Sequence, residues 1–176
     1  VQPIGLEFHI MMYQVAAANF IDSTTFLEVT AINRGQNDLT NFKTAFRIDA
    51  DVGNNNDDHY GTAPQKNLSF FYNSINTDTG SPGSIAYGGN PPSIGFICLN
   101  DSIEYAAEIR PPYLASQPFD SAYAYTSWYH MNGRWPDSSR WTYGGVGLGG
   151  TQPVNYLYDG NPFLNTGWTE MNANGI

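Results

Sequence analysis

The residues best equipped for chemistry lie in one short run, Arg47-Ile48-Asp49-Ala50-Asp51-Val52-Gly53-Asn54-Asn55-Asn56-Asp57-Asp58-His59-Tyr60-Gly61. Four carboxylates and three Asn amides fall within ten residues of it. At neutral pH so many like charges repel unless they point apart into water or converge on a cation. A hard cation such as Ca²⁺ takes six to eight oxygens, and Asp-x-Asp puts two carboxylates on one side of a strand end. Gly53 permits a sharp turn after them, and Asn54, Asn56, Asp57 and Asp58 offer oxygens from the returning chain. The expected ligands are Asp49, Asp51, Asp57, Asp58 and Asn54, holding a structural calcium ion. The spacing is not that of a helix-flanked calcium loop, because Tyr60 stands where its Glu would be. With His59 the one softer ligand nearby, zinc is disfavoured.

Other candidate chemistry is weaker. Trp135 and Trp141 flank the turn-forming Pro136-Asp137-Ser138-Ser139 and are the first choice for an exposed pair that stacks on sugar rings. Glu104 and Glu108, four apart, read as solvated charges on one face of a short helix. No Gly-x-Ser-x-Gly phrase occurs, and the glycine run 144–150 is followed by neither Lys nor a helix. The chain therefore reads as non-catalytic. Cys98 stands alone in an apolar run, which excludes an internal disulfide and points to an inert, buried thiol.

The elements that must position these residues follow from patterning. Apolar and polar residues alternate around Ile4 to Met12, Leu27 to Ala31, Leu68 to Tyr72, Ile94 to Cys98, Ala122 to His130 and Val154 to Tyr158, with a less regular stretch from Phe42 to Ile48. Each is expected to be a strand. The stretches 73–92 and 144–153 are turn-rich and read as ordered loops. One helix is expected, over 102–109, capped by Asp101 and stopped by Pro111-Pro112. The spacing predicts an all-β fold, an antiparallel, jelly-roll-like β-sandwich, with residues 1–176 as a single domain. A net charge of −9 disfavours nucleic acid and anionic membrane surfaces as partners, and no apolar run is long enough to span a bilayer.

Several phrases together resemble a β-rich domain of large Bacteroidota surface and secreted proteins exported by the type IX secretion system. They are Thr25-Phe26 to Ile32-Asn33-Arg34-Gly35, the Asp49-to-Gly53 and Asp57-to-Gly61 phrases, Asn67-Leu68 with Phe71-Tyr72-Asn73, and Asn90-Pro91-Pro92-Ser93-Ile94-Gly95. Tyr129 with Met131-Asn132-Gly133-Arg134-Trp135, and Gly167-Trp168-Thr169-Glu170, complete the set, which covers nearly the whole chain. The resemblance implies an extracellular or cell-surface location and a metal-binding role for Asp49, Asp51, Asp57 and Asp58. It departs at Tyr158-Asp159-Gly160-Asn161-Pro162, at Thr62 and at the end, Ile176, so the chain is expected to be a module of something longer. Its expected partners are other modules of the same or neighbouring chains, and glycans. O-glycosylation in that phylum follows Asp, which marks Ser23, Ser102 and Ser121 as candidates. The function expected is structural, adhesive or assembly; the alternative is a carbohydrate-binding module.

Overall fold

Two long strands of equal length open the chain. Leu6–Gln14 (β1) pairs antiparallel with Thr25–Asn33 (β2), with Leu6 opposite Asn33 and Gln14 opposite Thr25. A short 3₁₀ turn, Phe20–Ser23, lies in the connection, and the Asn19 side chain accepts from the Ile21 N–H at its start. At the far end the Arg34 N–H donates to the Gly5 carbonyl, and the Arg34 guanidinium reaches Glu7 at 2.9 Å. The computed structural model describes residues 4–80, 82–83, 85–109 and 121–173, with nothing said of the side chains of 121–123. It divides into two compact units, Val1–Thr44 and Ala45–Ile176.

The second unit is built on a three-stranded antiparallel sheet. Asp58–Ala63 (β3) pairs with Leu68–Asn73 (β4), which pairs in turn with Ser93–Ile97 (β7). Between β4 and β7, Thr77–Asp78 (β5) and Gly88–Gly89 (β6) form a two-residue ladder within the stretch expected to be loop. The period of two puts Asp58, Tyr60 and Thr62 on one face of β3, with Phe71 and Phe96 beside them. That face meets the core, where Tyr60, Trp135, Trp141, Leu157, Tyr158, Trp168 and Ala173 are buried. On the opposite face the Phe70 ring lies across Gly61, where a Cβ would come within 2.5 Å of the ring. The outer edge of β3 is covered rather than open: the Thr62 N–H donates to the Tyr158 carbonyl, and its hydroxyl to the Leu157 carbonyl at 3.0 Å.

The antiparallel, strand-dominated fold expected from the alternation is what the described residues form, and β1, β2, β4 and β7 fall where it placed them. Four expectations fail. Residues 102–109 form no helix, because Ala106 is claimed by long-range pairing: its N–H donates to the Asn155 carbonyl, and its own carbonyl accepts from Leu157. Two helical turns cannot compete with such ties. The expected stop at Pro111-Pro112 lies outside the described residues. Ser121–His130, read mostly as a strand, is instead a helix (α1), and Gly133 just beyond it takes the left-handed region and donates its N–H to the His130 carbonyl. Its rings at Tyr125 and Tyr129 mimic the strand period but sit one helical turn apart, 4.7 Å between centroids. Residues 42–48 carry neither helix nor strand, and 154–158 contribute only an isolated bridge, Ala106 with Tyr156. A last short helix, Glu170–Ala173 (α2), packs near β3.

Candidate functional site

The acidic run folds as a wide turn leading into β3. Val52 and Gly53 are buried, Asp49 and Asp51 exposed, and Asp57 and Asp58 half-buried. Asp58 is drawn inward because it shares the core face of β3 with Tyr60 and Thr62. Its Oδ2 accepts from the Val52 N–H at 2.8 Å, which closes the turn. Its Oδ1 is buried and has no hydrogen-bond partner, and the same holds for Asp57 Oδ1. Burial pushes the Asp58 carboxyl above the usual carboxylate value, the Val52 N–H opposes this, and the charges of Asp57, Asp51 and Asp78 add to it.

A pocket opens beside these groups, lined by Asp49, Ala50, Asp51, Asn55, Asn56, Asp58, His59, Phe71 and Glu108. Three of the five expected ligands, Asp49, Asp51 and Asp58, therefore line it, and Asp57 does not. Asn54 does not join them: its amide oxygen accepts from the Asn56 N–H at 3.2 Å and the Asn56 side chain at 3.0 Å. Among the described residues, no group of three or more His, Cys, Asp and Glu side chains stands close enough together to hold a metal ion. The oxygen-only character of Asp49, Asp51, Asp57 and Asp58, and the two orphaned carboxylate oxygens, nevertheless fit a hard cation in kind.

Three residues that sequence reasoning left aside shape the site. Glu108, read as a solvated helix charge, is half-buried in the pocket wall, since the helix that would have exposed it does not form. Asp78 is 1 % exposed and binds three backbone N–H groups, those of Tyr87 at 2.6 Å, Gly80 at 2.9 Å and Asn54 at 3.0 Å. Those of Tyr87 and Gly80 above all hold its carboxyl below the usual value, with Asn54 adding to them. Asp78 thereby clasps the acidic turn to the β5–β6 ladder, and its Asp-x-Gly phrase with Gly80 was the only local signal. Glu170, 3 % exposed, accepts from the Tyr60 N–H, and its other oxygen lies 3.3 Å from His59 Nδ1. The Phe71 ring that lines the pocket also packs edge-on against Tyr60 and Phe96.

The indoles expected to be exposed are not. Trp135 and Trp141 are 4 % and 1 % exposed and tilt against each other at 6.0 Å in the core, so neither offers a face to a sugar. A strand-and-turn reading cannot see that the glycine run folds over them: Trp135 Nε1 donates to the Gly147 carbonyl at 2.9 Å, and Trp168 Nε1 to Gly145 at 3.0 Å. Gly147 has φ of +81°, and a Cβ there would lie 2.7 Å from Leu157, so the run serves as a close-fitting lid of the core. Of the tryptophans Trp128, on α1, is the exposed one, and Tyr125 of the same helix, Tyr143 and Phe163 are exposed rings near it in sequence. Cys98 is partly exposed rather than buried. Ser23 and Ser102 are exposed, while the side chain of Ser121 lies outside the described residues. No helix of the described residues is long and apolar enough to cross a membrane. Comparison with family models, with curated proteins and with solved structures found no match to this chain.

Proposed function

We propose that the chain is a non-catalytic, calcium-stabilised module of an exported bacterial surface protein, with a structural, adhesive or assembly role. The observation that carries the reading is the pair of buried, unpartnered carboxylate oxygens, Asp57 Oδ1 and Asp58 Oδ1. A buried acceptor without a donor costs about 1–3 kcal/mol, and a bound cation is the partner that also offsets the repulsion among the neighbouring aspartates. Asp49, Asp51, Asp57 and Asp58 would hold calcium, with Asn54 and backbone carbonyls as further oxygen donors. Binding would have to draw Asp49 and Asp51 inward and turn the Asn54 amide oxygen away from Asn56, and both aspartates sit on residues 42–52, which form no helix or strand. Location outside the cell, export by type IX secretion, glycosylation at Ser23, Ser102 or Ser121, and docking to other modules rest on the resemblance of the sequence phrases. The sandwich architecture is likewise part of the proposal, supported by the antiparallel β3–β4–β7 sheet with one face on the core.

The test is Asp58→Asn, followed by thermal melting in chelator and in calcium. In chelator the substitution removes a charge whose burial is unfavourable, so the midpoint holds or rises. In calcium it removes a ligand, so the rise seen for the unsubstituted chain shrinks. A calcium response that Asp58→Asn leaves intact would sink the assignment. Glycan binding is a second reading, which the exposure of Trp128 (57 %) and Tyr125 (55 %) on α1 favours. Silence of the fluorescence across a broad glycan panel would remove it.

A further inference from the structure

The first unit leaves a whole sheet face bare. Side chains of directly opposed residues share a face, so the register puts Phe8 beside Ala31, Ile10 beside Val29 and Met12 beside Leu27 on one side of the β1–β2 hairpin. No charged residue lies on that side. Glu7, His9 and Glu28 are all on the other, where Tyr13 stacks on Phe26. The apolar face ends in polar residues, Gln14 bonded to Thr25 at one end and Asn33 at the other. An apolar centre within a polar rim is the anatomy of a protein interface. Phe8 is 48 % exposed, Ile10 67 %, Met12 72 %, Leu27 50 % and Val29 37 %. A two-stranded hairpin is marginal alone, and a contiguous apolar patch of this kind marks a contact surface.

We propose that this face is covered by the same face of a second copy of the chain, giving a two-fold dimer whose paired hairpins form a four-stranded sandwich. Two arguments select a second copy. The first is area: the five exposed side chains present about 500 Å² per copy, so ~1,000 Å² is buried when two meet, the lower bound for a specific interface. The second is shape. A two-fold axis parallel to the strands lays β1 of one copy over β2 of the other without changing position along the strand. Each Phe8 then stands over the partner copy's small Ala31, and each Ile10 over a Val29. Each Met12 stands over a Leu27, so the largest ring faces the smallest side chain and aliphatic chains face each other, as close-packed layers need.

The proposal does not depend on the acidic pocket, and the experiment is run in calcium and in chelator to keep the two apart. Sedimentation equilibrium of the full chain at about 100 µM, where a micromolar dimer is populated, gives twice the 19.4 kDa of one chain in both buffers. Ile10→Thr/Met12→Thr puts β-branched strand formers at both positions and weakens association at least tenfold, whereas Met11→Thr on the opposite face leaves it unchanged. Mixed labelled and unlabelled wild-type chains give isotope-filtered nuclear Overhauser contacts between Phe8 and Ala31 of different copies, which needs no substitution. A wild-type monomer at that concentration overturns the proposal, including a monomer whose melting the double substitution lowers, since its own chain then covers the face. A dimer that lacks the Phe8–Ala31 contact, or that the double substitution leaves intact, overturns it as well.

Discussion

Replacing Gly53 by Ala separates a general backbone cost from one specific to the acidic turn. Gly53 has φ of +82°, and a Cβ there would stand 1.9 Å from Asp78 Oδ2 and 2.3 Å from its Cγ. The left-handed conformation costs an alanine about 1 kcal/mol. The overlap cannot be relieved by Asp78 alone, because three backbone N–H groups hold that carboxylate in place. The turn must shift instead, at a further cost of about 2 kcal/mol typical of overpacking. Gly149 supplies the control: its φ is +80°, and a Cβ there meets nothing within 4 Å. Gly149→Ala should therefore cost only the backbone part, about 1 kcal/mol. For a unit of this size each kcal/mol moves the melting midpoint by about 3–5 °C, so Gly53→Ala should lower it by about 10 °C and Gly149→Ala by about 4 °C. Near-ultraviolet circular dichroism reports the transition of the right unit, since Trp135, Trp141 and Trp168 all belong to its core. Equal midpoints for the two variants would show that Asp78 does not clasp the turn.

Other outcomes follow from the same core. Burial pulls the His130 imidazole down to about 4, against an ordinary value of 6.5, while its ring tilts against Trp141 and stands edge-on to Trp135. The unfolded chain thus takes up a proton below pH 6.5 that the folded chain refuses, and stability is lost as pH falls from 6.5 towards 4. His130→Phe should flatten the midpoint over that window; a slope equal to wild type would count against the buried neutral ring. Asp78 adds a loss of the same sign below its ordinary 3.8, and Asp58, shifted the other way, opposes it. Leu157 is fully buried beside Gly147 and the Tyr60 strand, so Leu157→Ala should destabilise by about 3 kcal/mol in denaturant titration. A loss below about 1 kcal/mol would mean the cavity collapses.

Strands β1, β2, β4 and β7 were legible because their alternation is local and survives any partner. β3 was not, since Asp58, His59 and Gly61 read as turn chemistry; only pairing with β4 reveals Asp58, Tyr60 and Thr62 as one inward face. The same gap concealed residues 102–109, whose capping signals are real but lose to bonds with 155–157, some fifty residues away. Of the site, the aspartate cluster was legible by composition, and Gly53 by its place in the turn. Glu108 and Glu170 were not, because each reaches its position through long-range contacts that no spacing encodes, and the Asp-x-Gly phrase of Asp78 does not reveal its bond to Asn54. The tryptophans misled for a related reason: the turn between Trp135 and Trp141 suggested exposure, whereas the acceptor that holds the Trp135 indole inside comes from the glycine run at Gly147.

On the proposed reading, calcium completes the orphaned carboxylates of the acidic turn. Calorimetric titration of calcium into chelator-stripped chain, paired with a melt at saturation, tests it most directly. The expected outcome is one ion per chain and, at a concentration a hundredfold above the dissociation constant, about 2.7 kcal/mol of added stability, both abolished in Asp57→Asn/Asp58→Asn. No heat of binding and an unchanged midpoint would contradict it.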